Sequence, residues 1–168
     1  KAVIFPPQPS VLSAFGTLVT PIRLDLVRSA IGKLDELDWP RVDRLFVEMI
    51  SEGTTALANA GCKPADVTMV FGADLRYFGQ QNEVTVSFGA DPRAARDARA
   101  IRKTFETAYL AQYGFTPSHV PIEIVSWRLT ARGPLVPFHA AAHPAGQPGK
   151  PKRTRPVHLW QDNAQVAV

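Results

Sequence analysis

Two extended segments on either side of a polar turn constrain the fold of this chain more than any other feature. Between residues 83 and 88 apolar and polar side chains alternate strictly, so an extended backbone places the apolar ones on one face. Residues 67–72 form the second segment, and residues 71–83 combine two glycines with Asp, Arg, Tyr, two Gln, Asn and Glu. The pattern predicts two paired strands around a cluster of hydrogen-bonding side chains.

Two amphipathic helices are predicted, one on each side of this hairpin. The first begins at Asp38-Trp39-Pro40, and its apolar residues recur at three- and four-residue spacing until Gly61. The second begins at Asp91-Pro92 and ends at Tyr113-Gly114. Both start with an aspartate that can cap the first turn, followed by a proline that needs no donor there.

Three further segments complete the predicted elements. A helical turn is expected from Ser10 and should stop near Gly16, and residues 18–26 alternate like a strand that Pro21 confines to an edge. Residues 121–132 form the last long strand. We therefore predict an α+β fold, in which a small, mostly antiparallel sheet packs against two principal helices.

Polar residues in the hairpin and the last strand are the candidate site. They are Asp74, Arg76, Tyr77, Gln80, Glu83, Glu123 and Arg128. In a structural interpretation, Arg76 pairs with Glu123 or Glu83, and Tyr77 and Gln80 satisfy buried backbone groups at the turn. In a functional interpretation, the cluster faces a neighbouring domain or subunit and helps to hold a substrate amide or a phosphorylated intermediate. Strand motifs of this kind are more often architectural, and both interpretations hold if the network shapes an interface.

Several other kinds of site are not predicted. The chain has no G-x-x-x-x-G-K-[ST] or G-x-G-x-x-G motif, so no phosphate-cradling loop is expected. His139 and His143 are four residues apart, but Pro144 ends any helix there and no Asp or Glu is near, so no metal site is expected. Cys62 follows a helix end beside Lys63, which favours a packing role over a reactive thiolate.

Composition and charge indicate which partners and which compartment to expect for the chain. The net charge of +4 is concentrated near residues 150–155, and no nucleic-acid-binding motif accompanies it, so we expect no nucleic-acid partner. No apolar run could span a membrane and no secretion leader opens the chain, so the cytoplasm is the expected compartment. We expect one domain, 1–168, with a flexible Pro/Gly/Lys-rich loop around 139–155.

Three groups of residues resemble the C-terminal region of the hydantoinase A / 5-oxoprolinase family, in the family's order. They are Pro6-Pro7-x-Pro9-Ser10-Val11-Leu12-Ser13-Ala14-Phe15-Gly16-x-Leu18; Asp74-Leu75-Arg76-Tyr77-x-Gly79-Gln80 with Glu83; and Phe105, Tyr109, Tyr113-Gly114 and Ile122-Glu123-Ile124-Val125-x-x-Arg128. The family includes N-methylhydantoinases and the related subunits of acetone and acetophenone carboxylases. The resemblance extends from about residue 6 to residue 155.

The resemblance implies that this chain is the C-terminal domain of an ATP-dependent cyclic-amide hydrolase subunit. Lys1 stands in place of an initiating methionine and family members are much longer, so we expect a piece of a larger subunit. By the same resemblance, ATP and Mg²⁺ serve the full-length enzyme at a site outside this chain, which carries no cofactor and has no turnover alone. The implied partners are the N-terminal nucleotide-binding domains of the same subunit and a hydantoinase B-type subunit.

Two alternatives remain open from the sequence. The first is the same region of an ATP-dependent acetone or acetophenone carboxylase-type subunit, which activates a ketone and bicarbonate. The second is a stand-alone interaction module without catalysis. An exposed apolar surface would favour a domain of a larger subunit over such a module.

Overall fold

The structure is a computed structural model that describes residues 9–135, 137, 154–159 and 162–167. The chain divides into two compact units, Lys1–Pro137 and Phe138–Val168. The loop predicted around 139–155 lies outside the described residues except for its end, where a strand starts at Thr154. His139 and His143 also lie outside them.

The first unit is a four-stranded antiparallel sheet with helices. Its elements are α1 (Leu12–Val19), β1 (Arg23–Lys33), α2 (Trp39–Asn59), β2 (Thr68–Tyr77), β3 (Val84–Phe88), α3 (Pro92–Ala95), α4 (Ala98–Tyr113) and β4 (Ile122–Arg132). The strand order is β1-β4-β2-β3. The second unit holds β5 (Thr154–Leu159) paired antiparallel with β6 (Asp162–Ala167). The predicted α+β fold is confirmed.

The core of the first unit lies between one face of the sheet and the helices α2 and α4. Trp127 of β4 contacts Phe46 of α2, with ring centroids 5.5 Å apart. Tyr77 of β2 contacts Phe105 and Tyr109 of α4 at 5.1 and 4.8 Å in edge-to-face geometry. All five rings are buried. The apolar face predicted for residues 83–88 joins this core.

Local capping explains where the two principal helices begin. The Asp38 carboxylate accepts a hydrogen bond from the Arg41 backbone N–H at 3.1 Å, as predicted for the start of α2. The predicted second helix is instead interrupted, because Arg96 adopts a left-handed conformation with φ of 46° and ends α3. Asp97 then caps α4 through the Arg99 N–H.

None of the described helices is both long enough and apolar enough to cross a bilayer.

The strand predicted over residues 18–26 was wrong in its first half. Gly16 does not end the helix, because the backbone N–H and the hydroxyl of Thr20 both donate to the Gly16 carbonyl, at 3.1 and 2.7 Å. Helix α1 therefore runs to Val19, and β1 starts only at Arg23. Of the alternating residues before Arg23, residues 18 and 19 end helix α1, which has no buried residue, and residues 20–22 connect it to β1.

Candidate functional site

Five of the seven predicted residues lie together on the sheet face opposite α2 and α4. They are Asp74, Arg76, Glu83, Glu123 and Arg128. This charged face also carries hydroxyl groups on β3 and β4. Tyr77 points into the core instead, and Gln80 lies beyond the end of β2. The structure thus divides the predicted cluster into a charged part and an uncharged part.

Asp74 is the centre of the charged face. It is only 4% exposed, and its carboxylate accepts hydrogen bonds from the Thr85 hydroxyl at 2.6 Å and from the Ser126 hydroxyl. Arg128 Nε donates to both carboxylate oxygens, at 2.6 and 2.7 Å. A carboxylate with these three donors is stabilised in its charged form. Thr85 of β3, together with Ser126 and Arg128 of β4, thereby binds the same carboxylate on β2.

Burial alone would raise the pKa of the Asp74 carboxyl, but the hydrogen bonds and the positive charge of Arg128 outweigh it. The pKa of Asp74 is therefore held below its ordinary value. Such a carboxylate stabilises the fold above the ordinary aspartate pKa, and this stabilisation is lost as the pH falls through the lower, folded-state pKa.

We expect acid unfolding of this chain to depend on Asp74. In urea titrations between about pH 6 and pH 2, Asp74→Asn should flatten the loss of stability with falling pH, because the amide does not titrate. Asp91→Asn is a second test of the same linkage and should also flatten the profile, since burial would raise the pKa of Asp91 but its hydrogen bonds and ion pair with Arg93 lower it below the ordinary value. A pH profile of Asp74→Asn parallel to that of the unaltered chain would contradict this assignment.

Arg76 forms the second node of the charged face. Its Nε lies 3.2 Å from Glu123 Oε1 on β4, and its Nη1 lies 3.8 Å from Glu83 Oε1 beyond β3. Both partners proposed from the sequence are therefore present. Glu123 is 7% exposed, so Arg76 supplies the positive charge that its burial requires.

A bulge in β4 brings Glu123 to this face. Asp74 pairs with Ser126, but the next residue, Leu75, pairs with Ile124, so Val125 is an extra residue in β4. Glu123 lies four residues before the buried Trp127, an even number, so regular alternation along the strand would have placed its carboxylate in the core. The bulge reverses the alternation and sets Glu123 opposite Arg76.

The structural interpretation expected Tyr77 to satisfy buried backbone groups at the turn, but Tyr77 does not do so. Its hydroxyl is buried and has no hydrogen-bond partner among the described residues. Burial, together with the charge of Glu106 and the neighbouring Tyr109, raises its pKa above the ordinary value for tyrosine.

We expect Tyr77→Phe to raise the free energy of unfolding by about 1 kcal/mol, because it removes a buried and unpaired hydroxyl. Tyr109→Phe is the matched control and should lower stability, since Tyr109 Oη accepts a hydrogen bond from Gln80 Nε2 at 2.9 Å. Urea denaturation of both variants measures the difference. A loss of stability in Tyr77→Phe would show that its hydroxyl has a partner.

Gln80 lines a small cleft that sequence reasoning did not find. The cleft measures about 190 Å³ and is lined by Gln80, Gln81, Asn82, Tyr109 and Tyr113. The rings of Tyr109 and Tyr113 lie 4.5 Å apart, and Tyr109 also meets Phe115 at 6.0 Å. Spacing of four residues on α4 indicates that the two tyrosines share a face, but only the fold brings them to the β2–β3 turn.

The charged face does not offer an uncommitted set of metal ligands. Its two buried carboxylates, Asp74 and Glu123, are already paired with Arg128 and Arg76. Within the part of the chain that the structure describes, no three His, Cys, Asp or Glu side chains gather where they could hold a metal ion.

Comparison with known proteins gives relatives over nearly the whole chain. The chain is 26% identical to caprolactamase subunit alpha of Pseudomonas jessenii over 96% of its length, and 27% identical to an uncharacterised protein of Methanocaldococcus jannaschii over 98%. It spans about a quarter of the length of these relatives, covering 25% and 23% of them. No protein-family model matches the chain.

Two solved structures share the fold. The ATP-dependent caprolactamase of Pseudomonas jessenii matches with a TM-score of 0.66 at 22% identity, over 95% of this chain and 24% of that one. The nucleotide-free acetone carboxylase matches with a TM-score of 0.65 at 17% identity, over 78% of this chain and 20% of that one. The resemblance to the C-terminal region of the hydantoinase A / 5-oxoprolinase family is confirmed, at low sequence identity.

Proposed function

We propose that this chain is a domain of an ATP-dependent subunit that opens cyclic amides, of the hydantoinase or oxoprolinase type, in the cytoplasm. The observation that carries the proposal is the relationship to caprolactamase subunit alpha over 96% of the chain. In such an enzyme ATP would phosphorylate the amide oxygen and make the carbonyl carbon easier for water to attack. The chain itself supplies structural and interface surface.

The charged face is the proposed interface to the rest of the subunit or to a hydantoinase B-type partner. Its charges are paired before any partner arrives, so docking leaves no new buried charge uncompensated. Val27 of β1 lies opposite Arg128 and is 41% exposed, which adds an apolar element to an otherwise polar surface. The arginine is itself partly exposed, with only Nε bound to Asp74. A partner carbonyl or carboxylate could be bound by the remaining guanidinium nitrogens.

Reconstitution of the full-length subunit with its partner subunit tests this function. Caprolactam, hydantoin and 5-oxoproline are supplied with Mg²⁺-ATP, and phosphate release and ring opening are measured together. Val27→Asp should lower the coupled rate at least about tenfold, because its carboxylate would replace an apolar contact and would occupy the guanidinium nitrogens of Arg128, opposite it, that are proposed to bind the partner. Val47→Asp on α2, where Val47 is 59% exposed, is the matched control and should leave the rate unchanged. If no cyclic amide stimulates phosphate release, the proposed activity is wrong.

Because the proposal assigns ATP to the other domains of the subunit, we expect this chain not to bind Mg²⁺-ATP. Mg²⁺-ATP should not change the melting temperature of the 168-residue chain. A nucleotide bound at about one hundred times its dissociation constant would add about 2.7 kcal/mol, equivalent to roughly 5–10 °C for a domain of this size. A shift that large would place a nucleotide site in this chain and overturn the assignment of ATP to the other domains.

A ketone carboxylase subunit is the second candidate function. The observation in favour of this candidate is the fold match to acetone carboxylase, with a TM-score of 0.65. The same reconstitution separates the two, because a carboxylase would need both a ketone and bicarbonate for phosphate release, whereas a cyclic-amide hydrolase would need neither.

A further inference from the structure

We propose that the cleft formed by Gln80, Gln81, Asn82, Tyr109 and Tyr113 binds the ring of an uncharged cyclic amide. The inference rests on the proposed function and assigns to it a substrate-binding surface within this domain. Pockets for drug-sized ligands measure about 300–1,000 Å³. A cleft of about 190 Å³ suits one small ring.

The lining of this cleft differs in charge from that of other clefts on the domain. The cleft beside α3 includes Asp91 and Asp97, and the cleft on the outer side of α2 includes Glu48 and Glu52. A cleft beside residues 30–32 of β1, where the register with β4 shifts, contains two carboxylates and an arginine. Three carboxamides and two phenols line the proposed site instead. A neutral polar ligand loses less hydration there than a charged one would.

The two phenol hydroxyls are available as donors to a ligand carbonyl. Tyr109 Oη accepts from Gln80 Nε2 at 2.9 Å, and Tyr113 Oη accepts from Gln112 Nε2 at 3.2 Å. Neither hydroxyl donates to an acceptor among the described residues, so both protons are available to a ligand. Each accepted bond also polarises the O–H group and strengthens it as a donor.

The carboxamides distinguish a cyclic amide from an open-chain one. An Asn or Gln side chain offers a carbonyl acceptor and an N–H donor along one edge. In a small lactam or hydantoin the amide is held cis, so its N–H and C=O also lie along one edge and can form two parallel hydrogen bonds with Gln81 or Asn82. A peptide group is trans, and its N–H and C=O point in opposite directions. The cleft is therefore matched to cis amides.

Titration of the 168-residue chain with ε-caprolactam tests the assignment. The side-chain amide signals of Gln80, Gln81 and Asn82 are followed by NMR, up to roughly 50 mM ligand, where millimolar affinity would saturate. Two probes serve as comparisons: ε-caprolactone lacks the N–H, and N-methylacetamide is an open-chain trans amide. Each should bind about fivefold or more weakly, which corresponds to about one lost hydrogen bond.

Variants locate the binding in the cleft. Tyr113→Phe should weaken ε-caprolactam binding about fivefold, and Asn82→Asp should weaken it because one edge loses its N–H donors. Asn59→Asp makes the same change at the end of α2, beside a different cleft, and should leave binding unchanged.

Absence of a saturable shift, equal binding of the lactone, or equal binding of N-methylacetamide would each overturn the assignment. If the reconstituted enzyme still hydrolyses caprolactam with ATP in that case, the proposed function stands and only the cleft is misassigned. If the reconstituted enzyme is inactive on every cyclic amide while the chain binds ε-caprolactam selectively, the cleft assignment stands and the proposed activity fails.

Discussion

Replacing Gly72 with alanine is expected to lower the free energy of unfolding by about 3 kcal/mol or more. An added Cβ would lie 2.6 Å from the Val86 carbonyl oxygen in β3 and 3.7 Å from Arg128 Cβ in β4. The first neighbour is backbone within a paired strand, so it cannot turn aside as the end of a flexible side chain would. Relief would require β3 to move away from β2, next to the carboxylate that holds the charged face together.

Gly32→Ala is the matched control for this prediction. Gly32 also lies in a strand, but an added Cβ there would meet nothing within 4 Å. Its effect should stay within about 0.5 kcal/mol. Urea denaturation of both variants, with the slope of unfolding checked for two-state behaviour, gives the comparison. Equal stabilities of the two variants would show that β2 and β3 are less closely packed at Gly72 than the structure indicates.

The elements with strong periodic patterns could be predicted from the sequence. Helix α2 has a capping aspartate, a first-turn proline and an unbroken apolar stripe, and strand β3 alternates without exception. In both elements the local sequence preferences and the tertiary packing favour the same structure. The start of β1 was missed, because alternating residues at the end of a short helix and in the connection after it look like a strand.

The charged part of the site was predictable in its partners but not in its geometry. Complementary charges on neighbouring strands indicated that Arg76 would pair with Glu123 or Glu83, and it pairs with both. The bulge at Val125 leaves no mark in the sequence, since nothing in Ile122–Ser126 marks an extra residue. Without it, the parity of Glu123 would predict a carboxylate in the core.

The uncharged part of the site depends on tertiary structure alone. Gln80 was a candidate on account of its neighbours in sequence, yet its hydrogen-bond partner is Tyr109, 29 residues away on α4. Tyr77 belongs to the same motif and points to the opposite side of the sheet from its neighbour Arg76, so that its ring contacts Phe105 and Tyr109. Adjacent residues in a strand face opposite ways, so one sequence motif serves two different surfaces.

Arg76→Ala should lower the free energy of unfolding by about 2 kcal/mol, because it leaves the Glu123 carboxylate buried without its counter-ion. The value is below that for a fully buried pair, since Arg76 is itself partly exposed and Glu83 contributes little at 3.8 Å. The melting temperature should fall by roughly 4–8 °C.

Two further variants decide whether this loss comes from the buried pair. Arg102→Ala removes a cation that pairs with the exposed Asp35, and surface pairs contribute only about 0–1 kcal/mol, so its effect should be small. Adding Glu123→Gln to Arg76→Ala should recover part of the stability, because a neutral amide costs less to bury than an unpaired charge. If Arg76→Ala is no more harmful than Arg102→Ala, the pair does not support the fold, and the arginine is then better explained as a contact to a partner across the charged face.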